Sequence, residues 1–391
     1  MFARIYAVAF CLILTAASVG ADQGSMPKDW RRVSSNGGPG PVGSHSMAYD
    51  SGSDRVLLFG GGDGYPTGNG YVWSFDFNAD RWERRGPGGG GATVAAYDLE
   101  SEVVILFPIT RSYDFDTDTD RSMYPNPEPQ TWHMTDFGPR PSYDFSMAYD
   151  AESDRVILFG GEADNYGCRL DTWGYDFNVN TWTLMSPNVT PWVYCPSLAY
   201  DSNSDRVILF GGWHHGDGKR LNETWAYDYN TDTWERRYPS RSPPARTGHA
   251  MVYDAQWKLV VVFGGEGDLP LGWLNDTWTY DYGADRWEEL SLVHSPSRRW
   301  NHAMAYDSES NAIILTGGFA NAQSINETWA FTATDAAAPS LGWPEGLPAV
   351  LLTVVVLLPM VLVGAVALIR RRERRDRSAG EAELWHPNQP R

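Results

Sequence analysis

The sequence predicts an all-β ring, a six-bladed β-propeller, and three observations predict it. An aromatic-Asp ending returns six times, at Asp50, Asp98, Asp150, Asp201, Asp254 and Asp307, with spacings of 48, 52, 51, 53 and 53 residues. An apolar run closing in Gly-Gly follows every ending but one. A pair of tryptophans at fixed spacing comes next in most copies.

Each unit reads as four short strands. The first is SMAYD from Ser46, repeated as VAAYD, SMAYD, SLAYD, AMVYD and AMAYD. The second is RVLLFGG from Arg55, returning from Arg155, Arg206, Leu259 and Ala312, while the second copy reads VVILFPI from Val103. The third carries Trp73, Trp173, Trp225, Trp278 and Trp329, each followed two residues later by an aromatic. The fourth carries Trp82, Trp132, Trp182, Trp234 and Trp287. Four β-rich segments per period of about fifty residues are the signature of propeller blades.

These paired glycines and tryptophans resemble the kelch repeat family over residues 29–333. The resemblance implies blades that are four-stranded antiparallel sheets with the first strand innermost. The sixth unit runs NETWAFTATD from Asn326 into Ala336 without a second Trp. DWRRV, Asp29 to Val33, matches DRWERR from Asp80 and precedes the first blade. The N-terminal strand is therefore expected to complete the last blade and close the ring, leaving no open seam.

Both ends lie outside the repeats. Arg4, an apolar run to about Ala17 and Val19-Gly20-Ala21 read as a signal peptide over residues 1–21. After a linker at 334–346, residues 347–369 are uncharged and mostly apolar, long enough for one C-terminal transmembrane helix, with Pro348 in its first turn and Pro359 as a kink. The arginines of the basic tail 370–391 mark the cytoplasmic side, so a single-pass protein of the cell membrane with its propeller outside is expected. Between residues 22 and 369 the chain carries 45 acidic and 23 basic residues, a net charge of −22. Such a surface excludes nucleic acid as a partner. Much of the acid is Asp in turns such as DSGSDR, where its side chain holds the backbone.

One face of such a ring carries the loops between strands two and three and the connectors between blades. These loops are long, and long loops on a rigid scaffold are where sites are built. Tyr65, Tyr166, Trp213, Trp273 and Phe319, with His214 and His215, are the candidate binding residues. Their aromatic rings suit contact with a protein or a sugar face, and equally packing against neighbouring blades. Cys168 and Cys195 fall on this face in adjacent blades and suit a disulfide closing a loop of 27 residues, with buried thiols or metal ligands as the rivals.

His45, His249 and His302 occupy equivalent positions before the first strands of consecutive blades. They form a candidate metal arc, but the resemblance implies that this histidine belongs to the repeat and bonds backbone at the blade entry. DFDTDTDR from Asp114 copies the start of a calcium loop with Asp116, Asp118 and Asp120. It carries Arg121 where the glycine belongs and Pro127 where the bidentate Glu belongs. Counted to Trp132, this stretch is an insertion of 12 residues, expected on the face opposite the long loops. Of four sequons, Asn188 lies outside the repeat phrases and is the candidate glycosylation site.

No cofactor and no catalytic residue are assigned. The sequence reads as a surface propeller binding an extracellular protein or glycan. The alternative is a carbohydrate-active enzyme: the resemblance implies a sugar epimerase or mutarotase, to which Arg246, Arg299 and Glu266 would contribute, or a copper radical oxidase.

Overall fold

A computed structural model describes residues 28–33, 37–62, 71–87, 94–107, 111–122, 139, 145–160, 162–163, 167–168, 170–214, 216–321 and 323–334. The expected leader, membrane span and tail lie outside them. Among the described residues no helix is long and apolar enough to cross a membrane.

The chain builds six four-stranded antiparallel blades. Blade one is Gly43–Asp50, Arg55–Gly62, Tyr71–Asp76 and Arg81–Pro87; blade two is Val94–Asp98, Val103–Phe107, Arg111–Asp114 and Thr119–Ser122. Blade three is Phe145–Asp150, Arg155–Gly160, Thr172–Asp176 and Thr181–Leu184; blade four is Ser197–Asp201, Arg206–Phe210, Thr224–Asp228 and Thr233–Arg237. Blade five holds Ala250–Asp254, Leu259–Gly267, Trp273–Asp281 and Arg286–Glu289, with Arg246–Thr247 added beside its second strand. Blade six is Ala303–Asp307, Ala312–Thr316 and Thr328–Ala333, and its outer strand is Lys28–Val33. That strand pairs antiparallel from Lys28 opposite Ala333 to Val33 opposite Thr328. The N-terminal closure expected from DWRRV is therefore present, one residue longer than the sequence phrase.

The core explains the shape of the repeat. It consists of six clusters, one in each gap between neighbouring blades, including the gap between blades six and one. A second strand is covered on both faces by adjoining blades, so it reads as a continuous apolar run rather than an alternating one. Leu57, Ile105, Ile157, Ile208, Val261 and Ile314 are accordingly fully buried.

The turns explain the acidity. Each aromatic-Asp ending places a buried carboxylate whose Oδ1 accepts the backbone N–H two residues ahead, at 2.9 to 3.1 Å in all six blades. The residue that ends the turn adopts positive φ, as at Asp54, Asp154, Asp205 and Asn311, and Asp232 and Asp285 do the same between strands three and four. Short side chains that bond their own backbone tolerate this left-handed conformation.

Hydrogen bonds across the gaps complete the ring. The fourth-strand indole of one blade donates Nε1–H to a third-strand threonine of the blade before it. Trp234 reaches Thr172 and Trp287 reaches Thr224, both at 2.9 Å; Trp30 reaches Thr277 at 3.0 Å and Trp82 reaches Thr328 at 3.1 Å. The gap between blades one and two departs from this. Val72 stands at the threonine position, and Asp120, opposite Tyr113, takes the register that tryptophan holds in the other blades. Donor and acceptor are lost together, so neither is stranded. Val72 is fully buried, and Phe59 and Tyr113 meet edge to face at 5.5 Å in its cluster.

Blade two corrects the sequence reading in one respect. Its fourth strand is Thr119–Ser122, not the segment around Trp132. DFDTDTDR is the hairpin between strands three and four, with Asp118 at φ 52° like the turn-ending residues of other blades. Repeat phrasing misplaced the strand because it searched for the missing tryptophan. The extra residues therefore follow the fourth strand in sequence, between Ser122 and Phe145. Residues 123–138, including Trp132, lie outside the described residues.

Candidate interaction face

Several of the candidate groups lie in the interior and serve the ring itself. His45, His249 and His302 are buried wedges between blades. In three of the Gly-Gly pairs the first glycine makes room for the imidazole of the following blade. A Cβ on Gly317 would lie 2.7 Å from His45 Cε1, one on Gly211 2.7 Å from His249 Cε1, and one on Gly264 3.2 Å from His302 Cε1. The carbonyls of Thr316, Phe210 and Phe263 lie near these rings, yet neither ring nitrogen of any of the three reaches regular hydrogen-bond geometry.

Burial holds all three neutral: it pushes His45 down to about 4 and His249 to about 3, the latter helped by the charge of Arg246. His302 is lowered by burial and then by Arg299. Among the described residues no group of three or more His, Cys, Asp or Glu side chains is arranged to hold a metal ion.

Arg246 and Arg299 are also structural. Arg246 is fully buried and forks onto Asp276 at 2.8 and 2.7 Å while donating to the Gly264 carbonyl at 2.9 Å. Arg299 repeats the arrangement with Glu327 at 2.8 Å and the Gly317 carbonyl at 3.0 Å. Burial works to raise the Asp276 carboxyl, but Arg246 and Trp278 outweigh it and hold the group below its usual range. Glu266, the third residue considered for a sugar-isomerase centre, is instead bridged to Arg220 at 2.7 Å. Each of the three is thus engaged in an ion pair within the scaffold.

In the calcium-like run, Asp118 Oδ1 accepts from the Tyr113 hydroxyl at 2.5 Å and from the Gly86 N–H at 3.1 Å, which ties blade two to blade one. Asp116 is exposed in the same turn, and Asp120 lies in the strand that follows.

The long loops are short hairpins pinned to their neighbours. Trp213–His214 pairs antiparallel with Val193–Tyr194 of the connector from blade three, and the Tyr194 and Trp213 rings lie nearly parallel with centroids 6.4 Å apart. Arg220 lays its guanidinium 4.3 Å over Trp213 and continues to Glu266 and to Asp268 at 3.0 Å, fastening the hairpin of blade four to that of blade five. His214 and Lys219 both hold the exposed Asp217, which Lys219 first and His214 second draw down to about 2.

In blade five Trp273 sits half-buried opposite Glu266, below a tip where Leu269 is 92% exposed. In blade six the hairpin Phe319–Ala320 with Gln323–Ser324 turns the Phe319 ring over Gly43 of blade one, with Trp300 at 5.6 Å. Only glycine fits there: a Cβ on Gly43 would fall 2.3 Å from Phe319 Cε2.

Trp213, Trp273 and Phe319 thus serve partly as packing between loops. The sequence reading missed Trp192, 61% exposed beside buried Val193, and Leu269 at the tip of blade five. The signal for Trp192 was its alternation with Val193, since neighbours in extended backbone point to opposite sides. Tyr65, Tyr166 and His215 lie outside the described residues, as does the side chain of Cys168 and therefore its expected bond to Cys195. Asn188 is exposed in the connector from blade three.

A ring of four-stranded blades, wedged by histidine against diglycine and tied by Trp–Thr bonds, defines a repeat propeller whose variable surface is its loop face. The sequence profile of the KLHDC2/KLHL20/DRC7 Kelch-repeats domain matches residues 110–292 and 198–343, together more than half of the chain. The chain belongs to the kelch-repeat propeller family. Among curated proteins it is similar to putative adagio-like protein 2 of Oryza sativa subsp. japonica, 32% identical over 44% of this chain and 27% of that protein. It is also similar to adagio-like protein 1 of the same organism, 34% identical over 30% of this chain and 18% of the relative. Mei4-dependent protein 6 of Schizosaccharomyces pombe is 29% identical over 31% of this chain and 18% of its own. The matches span about a quarter or less of those relatives. A kelch propeller points to a protein-interaction module.

Proposed function

We propose that this chain is a membrane-anchored kelch propeller, held outside the cell, that binds an extracellular partner protein through the hairpins of blades four and five. The observation that carries the reading is the Trp213–Arg220–Glu266 clasp, which makes two loops one rigid platform with Trp192 and Leu269 exposed on its face. Exposed aromatic and aliphatic groups on a preorganised surface are what protein interfaces use as anchors. Anchoring rests on the leader-like start, the uncharged run 347–369 and the arginines after it.

Two measurements test this on the full chain in intact cells. A tag at the C-terminus should stay closed to antibody while the propeller is open to it; the reverse defeats the topology. Surface cross-linking should join the wild type to a discrete partner and lose it in a Trp192→Ala, Leu269→Asp variant displayed at equal density. Retention by the variant defeats the proposed face, and a ligand found only on a glycan array replaces protein with sugar as the partner.

A further inference from the structure

The outer rim of blade three differs from the other five rims. Fourth strands are sheet edges, and proteins blunt such edges with charge. Lys28–Val33, Arg81–Pro87, Thr119–Ser122, Thr233–Arg237 and Arg286–Glu289 all carry charged residues; Thr181–Leu184, reading TWTL, carries none. This strand lies in the longest stretch between residues 29 and 333 that lacks Asp, Glu, Lys, Arg and His, the 24 residues from Phe177 to Tyr200. Exposed apolar side chains concentrate there as well: Val179 is 64% exposed, Leu184 51% and Val189 54%. Thr181 and Thr183 are exposed on the other side of the strand. Among the described residues the strand ends its sheet, bonded to Thr172–Asp176 on the inner side and to no strand on the outer.

We propose that the Thr181–Leu184 edge is a homodimer seam, pairing antiparallel with the same strand of a second copy. A two-fold contact sets a strand against its own reverse, so the strand must be its own complement. Centred on Thr183, the pairing places Thr183 opposite Thr183 and Trp182 opposite Leu184. Thr–Thr and aromatic–aliphatic pairs are favourable cross-strand neighbours. The uncharged flanks matter equally. With a net charge of −22 between residues 22 and 369, two copies repel over most orientations, and this rim lets them meet without opposing like charges.

The test uses the full chain in detergent micelles, weighed by mass photometry. The wild type is expected as a dimer, and a Thr183→Lys, Leu184→Lys variant as a monomer with the same melting temperature, since both positions are exposed. Glu83→Lys on the charged rim of blade one should leave the dimer intact. In a second readout, independent of the lysine variant's folding, Thr183→Cys should cross-link to itself under mild oxidation far faster than Thr181→Cys. A monomeric wild type overturns the proposal, as does a dimer that survives the double lysine variant. A dimer that forms only in Asn188→Gln overturns it too, because a glycan is then the natural cover of this strand.

Discussion

Lys28 places its ammonium against the Asp254 carboxylate, joining the first residue of the closing strand to the first-strand ending of blade five. Both side chains are buried; Asn311 Oδ1 accepts from the same ammonium at 3.0 Å, and the Trp257 and Tyr306 rings lie 5.2 and 5.8 Å from it. The strand that closes blade six is thereby held on both sides, by its ladder to Thr328–Ala333 and by an ion pair to the blade before.

Removing one partner of such a pair strands the other charge in the interior. Lys28→Met is expected to lower stability by about 3–5 kcal/mol. Lys28→Met combined with Asp254→Asn should recover part of that loss, because the stranded charge is gone. Thermal unfolding monitored by tryptophan fluorescence measures both. An unchanged midpoint in Lys28→Met would show that the latch does not depend on the pair, and deleting residues 28–33 should lower the midpoint further than either substitution.

The Gly-Gly pairs make a second prediction, which separates strain from space. Gly218 and Gly317 have similar φ, +66° and +63°, but a Cβ on Gly218 meets nothing within 4 Å, whereas one on Gly317 falls 2.3 Å from the Val42 carbonyl oxygen. Gly218→Ala should cost about 1 kcal/mol from the left-handed backbone alone. Gly317→Ala adds a clash with backbone and with the His45 ring, on the order of 3 kcal/mol in all. Chemical denaturation of the two variants checks the ordering, and equal losses would reject the wedge.

The gap between blades one and two yields a double-mutant cycle. Thr224→Val should cost about 1–3 kcal/mol, since it leaves the buried Trp287 Nε1–H without its acceptor. Val72→Thr alone is expected to destabilise by a similar amount, because its hydroxyl enters a buried site with no indole to meet it. Val72→Thr with Asp120→Trp should restore the pairing seen in four other gaps, so the double variant is more stable than the sum of the singles predicts. Additivity within about 0.5 kcal/mol would mean that the register position of Asp120 does not reproduce the indole geometry.

The ring was legible because its packing is periodic. Each second strand is covered on two faces and so cannot hide its apolar run, and the missing Trp of blade six pointed directly to Trp30. The same reliance on period failed in blade two, where Asp120 replaces the marker residue and the phrase was carried on to Trp132. Roles in the candidate site were less legible. Nothing local in the sequence distinguishes Arg246, locked onto Asp276, from Arg220, which spans two blades, because the difference depends on which loop lies beside each guanidinium. The uncharged rim at Thr181–Leu184 likewise becomes meaningful only when the outer strand is known to be an edge, and Leu269 only when the tip of its hairpin is known to stand clear of the ring.

Acid should loosen the wedges. His45 and His249 have folded-state pKa values of about 4 and about 3, against 6.5 for the ordinary side chain, and His302 is also well below it. The unfolded chain therefore binds more protons than the ring as pH falls below 6.5. Their contribution to stability is complete above pH 6.5 and is lost progressively on descent toward the folded values. At pH 5 the loss is about 2 kcal/mol for each of His45 and His249, from 1.36 kcal/mol for each pH unit traversed, and His302 acts in the same direction. Burial raises the Asp98 and Asp150 carboxyls, which acts in the opposite sense in the range just above 3.8. Melting temperature should accordingly be flat from pH 8 to 7 and fall steeply between 6 and 5. His45→Gln, destabilised at neutral pH by the imperfect fit of its amide, should show a shallower acid slope than the wild type. An equal slope would assign the acid sensitivity to groups other than these wedges.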